Sequence, residues 1–244
     1  VEPRLSKDPA EDELLAAITW IMGHRLELPL PPDVTAYVYV NQATFVDGLM
    51  RVGGAPSEAA WEQGRYAGAV ASARGILIRG DRLAVMSLSD RAGLLAHELA
   101  HVSQRHLAAG GRRGAPVWIR EGHADWVKYR VLDVLGYTPH AESRDEVLRS
   151  VRRSALPVQF FPGLEGLARH ADWNDARNRL GGAATYGQAF LAVDWLVERY
   201  GHARLVEFLK TFAPDEAGKQ WQDVYPISYR EFIKEFRARL EAGP

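Results

Sequence analysis

The chain has 244 residues, 47% hydrophobic and 25% charged, with 7 Trp and 8 Phe, so it can bury a sizeable core and is not compositionally disordered. A formal net charge of -1 excludes the global basic field that drives nonspecific nucleic-acid binding, and nucleic acid is not an expected partner. Zero Cys excludes disulfides, thiolate metal ligands and a cysteine nucleophile, so any zinc site must be built from His and carboxylates.

In chain order, Asp8 and Pro9 mark a helix start, and Leu14, Leu15, Ile18, Ile21 and Met22 form an apolar stripe that should stop near Gly23. After Pro29, Pro31 and Pro32, the run 36–40 (Ala-Tyr-Val-Tyr-Val) is rich in β-formers. The runs 75–78 and 83–86 repeat that character around Gly80-Asp81, which predicts a small sheet containing a hairpin. From Ser89 the pattern turns helical, with Ser89 or Asp90 as N-cap, Leu95, Leu99 and Val102 on one side, and Gly110-Gly111 as the stop. A second helix is expected from Pro116 to about Leu135, ended by Gly136, and a charge-rich third from about Glu142 to Ser154. Residues 156–184 carry Pro, Gly and Asn-Asp punctuation and read as the least regular part, loops or short helices near the cleft. Helices then follow at 186–200, capped by Gly201, and at 202–212. The last opens on the capping box Ser228-x-x-Glu231 and carries Phe232, Phe236 and Leu240.

Strands first and helices after argue for an α+β fold. The expected arrangement is a small N-terminal mixed sheet packed on the helix that carries His97, followed by a mainly helical C-terminal lobe. The two lobes, residues 1–114 and 115–244, would form one compact unit with the site in a cleft between them. No apolar run nears the roughly 20 residues that span a bilayer, so no membrane span is expected. The chain begins at Val1 without Met, which leaves room for a targeting or anchoring segment ahead of it. The compartment is left open, with a lean to a bacterial extracytoplasmic setting.

Chemistry concentrates at His97-Glu98-Leu99-Ala100-His101. Two His four residues apart on a helix project from one face and can reach one metal ion. Glu98 sits about 100° around the helix from His97, beside the metal without ligating it, where it can take a proton from bound water. A catalytic zinc needs a third protein ligand and an open position. His106 would need a glycine turn to swing back, and Gln104 stands where that glycine belongs. Glu121, within Trp118-Ile119-Arg120-Glu121-Gly122-His123-Ala124-Asp125-Trp126, is the expected third ligand. His123 is the weaker alternative, since it points about 200° away on the same helix. Asp125 shares the face of Glu121 one turn on and is placed to accept the ring N–H of a ligating His.

With these residues the sequence resembles the gluzincin peptidases, the thermolysin-like superfamily in which HExxH is completed by a downstream Glu, and most of all the compact bacterial peptidase MA-like group. The matching blocks are 97–102, 116–126 and Tyr186-Gly187-Gln188-Ala189-Phe190 through Leu196-Val197-Glu198-Arg199-Tyr200-Gly201. The resemblance implies one zinc ion held by His97, His101 and Glu121, with Glu98 as general base and proton shuttle. It also implies a role for Tyr186, because in the aminopeptidase branch a Tyr opening a similar helix hydrogen-bonds the oxyanion of the tetrahedral intermediate. The Gly-Met-Glu-Asn motif with which aminopeptidases grip a free amino end is absent before His97, where residues 75–86 stand instead. The strand pair 76–86 could still offer an edge to an extended peptide, which suits an endopeptidase acting on peptides or proteins. Two other functions fit the same residues: a zinc-stabilised binding or scaffold module, and a zinc hydrolase of a non-peptide amide or ester.

The remaining polar clusters read as structural. Arg144, Arg149, Arg152 and Arg153 beside Glu142, Asp145 and Glu146 form a solvated helix face, and Arg112-Arg113 lie in a glycine-rich loop. His24, His140, His170 and His202 have no metal-type spacing and should make local hydrogen bonds. Residues 172–175 could line the cleft. Trp118, Trp126 and Trp195 should pack in the core around the site.

Overall fold

Leu14, Ala17, Ile18, Ile21 and Met22 recur at helical spacing, are all buried, and form the inner face of α1, Glu11–Arg25. The helix ends near Gly23, as expected, running two residues past it to Arg25. Buried Ile21 and Met22 before it and buried Leu26 and Leu28 after it hold this segment down, against a cost of about 1 kcal/mol for a helical glycine. The left-handed residue beyond the helix is Glu27, at φ 54. This computed structural model describes residues 5–7, 9–73, 75–108, 114–213 and 217–242; Asp8 and residues 110–113, with their expected helix start, glycine stop and basic loop, lie outside them.

The chain divides into two compact units, Val1–His106 with Val127–Tyr137, and Leu107–Trp126 with Thr138–Pro244. Both are rich in helix, and the first holds a small mixed sheet, an α+β composition. Among the described residues no helix is long and apolar enough to cross a membrane.

In the first unit the strands are β1 (Thr35–Tyr39), β2 (Ala69–Ser72) and β3 (Gly75–Arg79), ordered β1-β3-β2. β1 runs parallel to β3 and β2 antiparallel to it. A parallel pair needs a long crossover. It is made largely by α2 (Gln42–Arg51) and α3 (Ser57–Tyr66), whose Phe45, Val46, Leu49 and Ala60 close a small core over Leu77. Neither helix is among the predicted elements, although the capping box of Asn41 with Thr44 is a local signal for the first.

The hairpin forms at a different place from the one predicted. Arg79 donates to both carboxylate oxygens of Asp81, at 2.8 and 3.0 Å, and the chain turns into the short helix α4 (Gly80–Leu83) instead of a strand. β3 is already flanked on both sides, so residues 83–86 have no edge of it to pair with. The antiparallel partner is β2, whose Ser72 pairs with Gly75 at the start of β3. Gly75 has φ +134, and a Cβ there would lie 2.0 Å from the carbonyl oxygen of Thr35.

α5 spans Leu88–Leu107. Its cap is Ser87 and not Ser89 or Asp90: the Ser87 hydroxyl accepts from the Asp90 N–H at 3.1 Å and donates to the Asp90 carboxylate at 2.6 Å. α6 spans Val117–Val134, its first half in the second unit and its remainder in the first, and the chain beyond it turns at Gly136, φ +76.

In the second unit follow α7 (His140–Arg152), two 3-10 turns at Val158–Phe160 and Leu164–Leu167, and α8 (His170–Leu180). The least regular region thus holds short helical pieces, as expected, the longest of them the 11 residues of α8. Only Trp173, Ala176 and Leu180 of α8 are buried, too few apolar positions to stand out as a stripe. α9, Gly182–Tyr200, begins after Gly181 at φ +83, so Tyr186 lies in its second turn and does not open it. α10 (His202–Thr211), α11 (Ala217–Val224) and α12 (Tyr229–Glu241) complete the chain, the last with the expected Ser228–Glu231 capping box. Trp118, Trp195, Trp221 and Phe232 stack into an aromatic core. There the Trp118 indole N–H donates to the Tyr229 oxygen at 3.1 Å, and burial pushes the Tyr229 phenol up to about 12.

α6 meets α9 backbone to backbone at Gly122, where a Cβ would lie 2.3 Å from the carbonyl oxygen of Ala189 and 2.8 Å from Val193. A carbonyl cannot rotate away as a side chain can. Gly122→Ala should therefore lower unfolding stability by roughly 1–3 kcal/mol, read as a fall in the denaturant midpoint at unchanged slope.

Candidate metal centre

α5 is buried along much of its length: Ala92, Leu95, Ala96, Leu99, Ala100 and Ser103 are at most 1% exposed, and the Ser103 hydroxyl donates to the Pro29 carbonyl at 2.7 Å. His97 and His101 emerge from one face of it, partly exposed, one turn apart. Their Nε2 atoms approach to 3.2 Å, with ring centroids 4.8 Å apart and planes nearly perpendicular at 85°.

One potential ligand atom from each of His97, His101 and Glu121 lies within 4.8 Å of the others, and all three residues are half-buried. Among the described residues this is the group of three or more His, Asp or Glu that could hold a metal ion. Two imidazole nitrogens and a carboxylate oxygen suit a borderline ion such as zinc, and three protein ligands leave a coordination position for water or substrate. His106 is exposed near the end of α5 and is not part of the group.

Glu98 is 8% exposed, and its Oε2 accepts a hydrogen bond from the backbone N–H of Ala71 at 2.7 Å. That bond holds the carboxylate next to the imidazoles in a defined orientation. It also fixes the role of β2: Ala71 lies opposite Ile76, but its N–H points away from β3 toward α5. Nothing local in the sequence announces this contact, since Ala71 and Glu98 are 27 residues apart.

Nδ1 of His101 lies 3.0 Å from Oε1 of Gln104, a residue only 6% exposed. The Gln104 amide oxygen is thus placed to accept from a candidate ligand ring, a role of the same kind as the one the sequence pattern gives to Asp125. Its i,i+3 spacing from His101 is the signal that could have found it. Asp125 is itself buried, 7% exposed, on α6 one turn after Glu121.

His123, the weaker ligand candidate, is outside the metal-competent group. It is fully buried, its Nε2 lies 3.0 Å from Nε2 of His202, and its ring stacks with Trp126. Tyr186 is half-buried and packs edge-on against Trp173 at 5.0 Å, which also accounts for one residue of the 172–175 segment. The other His make local hydrogen bonds: His24 with the Trp20 carbonyl, His170 with Arg120, and His140 with Asp194 at 2.6 Å. Arg144 and Arg149 of α7 and Arg153 just after it are engaged nearby, Arg149 and Arg153 with Glu146 and Arg144 with Asp194 and Glu198.

Comparison with family models, with curated protein sequences and with solved structures finds no match to this chain. The chemistry of the donor set is therefore what bears on function. The protein should take up one zinc ion per chain, and His97→Ala or His101→Ala should abolish that uptake. Free zinc at 100 times its Kd should stabilise the wild type by about 2.7 kcal/mol, measured as a chelator-reversible shift in thermal unfolding.

Proposed function

We propose that the protein is a zinc-dependent peptidase of the gluzincin type, its ion held by His97, His101 and Glu121. What carries this function is the convergence of those three ligand atoms within 4.8 Å beside the buried carboxylate of Glu98. A zinc ion bound there supplies Lewis acidity, polarising a carbonyl and lowering the pKa of bound water to about 7. Glu98 takes the proton from the attacking water and delivers it to the departing amine, with Oε2 anchored by Ala71 so that the carboxylate does not swing during the transfer. Asp125 is assigned to accept the ring N–H of a ligating His, and Tyr186 to donate to the developing oxyanion.

The substrate is proposed to be a peptide or protein in extended form, added along β2 and not along the 76–86 segment. β2 is an outer strand, and alternation along it turns the N–H and C=O of Ala69 and the C=O of Ala71 away from β3, while the Ala71 N–H is taken by Glu98. The bond that the Arg79 N–H donates to the Gly68 carbonyl agrees with this parity. A peptide aligned on that edge by main-chain groups is held in its middle, which favours internal cleavage over removal of terminal residues.

Glu98→Gln should leave zinc stoichiometry unchanged while lowering cleavage of a mixed peptide library by about a hundredfold or more. Sequencing the new ends made by the wild type reports internal or terminal cutting at once. Equal cleavage by the variant would overturn the assignment of Glu98. A zinc-loaded wild type that cuts no peptide, but hydrolyses small amides or esters, would overturn the substrate class.

A further inference from the structure

We propose that Gln104 is a positioning residue that holds His101 in its metal-binding tautomer, and that its neutrality keeps the affinity of the site for zinc below what a carboxylate there would give. This rests on the metal site proposed above. A neutral imidazole carries one ring proton, and a nitrogen can ligate only when bare. Oε1 of Gln104 has no hydrogen to give, so at 3.0 Å it can only accept. The proton of His101 must then sit on Nδ1, and Nε2 presents its lone pair. That Nε2 is the atom lying 3.2 Å from Nε2 of His97, on the side where the ligand atoms converge.

The acceptor is also placed where it cannot easily be replaced by water. Gln104 is 6% exposed, sits one turn along the same helix as His101, and is flanked by fully buried Ser103. Fixing the ring this way restricts its rotation as well as its tautomer, so zinc meets an oriented ligand.

The choice of an amide has a second consequence. Ligating His commonly donate to a carboxylate, which makes the imidazole more basic and strengthens the metal bond. An amide oxygen supplies the same geometry without the negative charge. With two neutral imidazoles and one carboxylate as ligands, the ion then keeps more of its positive charge. That makes it a stronger Lewis acid on the open position and a less tightly held ion.

The test uses the whole chain and zinc alone, with affinity read by chelator competition. Gln104→Leu should weaken zinc binding by roughly 10–100-fold, and Gln104→Glu should bind at least as tightly as the wild type. In the metal-free protein at alkaline pH, two-bond proton–nitrogen correlation spectra should show the His101 proton on Nδ1. Gln104→Leu should give a mixture of tautomers. Unchanged zinc affinity in Gln104→Leu, while His97→Ala abolishes binding, would overturn the inference and leave the metal site standing. A wild-type His101 protonated on Nε2 would overturn it as well. A wild type that binds no zinc would overturn the metal site and this inference together.

Discussion

The Glu98 carboxylate faces a constraint that organises the region around it. Its neighbours on α5 include Leu95, Ala96, Leu99 and Ala100, all buried, and a carboxylate taken out of water costs several kcal/mol unless hydrogen-bond donors replace the solvent. The N–H of Ala71 is such a donor at 2.7 Å. To provide it, β2 has to run as an outer strand with that N–H turned from the sheet, and its register against β3 has to place Ala71 opposite Ile76. The one-residue pleat means that a slip by one position would turn the N–H toward β3 and leave the carboxylate buried without it. Sheet register and the position of the candidate base are thus one problem with one solution.

Gly75 and Gly122 serve the two units in a comparable way. At Gly75 the absence of a side chain lets β3 start directly beside Thr35 of β1, so the strand that pairs with β2 is held on its other side as well. At Gly122 it lets α6 rest on the backbone of α9, next in sequence to Glu121. In both places a residue with no chemistry of its own determines how closely two backbones approach. The functional groups are then carried by elements whose positions have little freedom, as a site with defined ligand geometry requires.

Much of this was legible in the sequence. His97 and His101 at i,i+4, the apolar residues of α5 between and around them, the stop of α6 near Gly136 and the capping box at Ser228 are all local patterns, and local patterns act through a helix that repeats every 3.6 residues. The glycine stops at Gly136 and Gly201 each coincide with positive φ. Less legible were α3, with only Ala60 and Gly64 buried, and α8, with Trp173, Ala176 and Leu180, where the stripe is thin; α2 is also outside the predicted elements although it buries Phe45, Val46 and Leu49. The strand assigned to residues 83–86 failed because β character measures fit to a half-buried surface, and no sheet edge was available there to supply one.

Residue type and spacing by themselves therefore determined an α+β chain, the paired imidazoles with a carboxylate between them, and Glu121 and Asp125 one turn apart on another helix. Tertiary structure decided the pairings that span the chain or distinguish one neighbour from another. It brought Glu121 and not His106 or His123 toward the imidazoles, and put His123 against His202. It gave Glu98 its donor in β2, and turned the amide of Gln104 toward His101. The physical reason is that a helix face is set by covalent geometry within a few residues. Which donor reaches a buried carboxylate, or which acceptor takes a ring proton, depends on segments far apart in sequence competing for the same dry space.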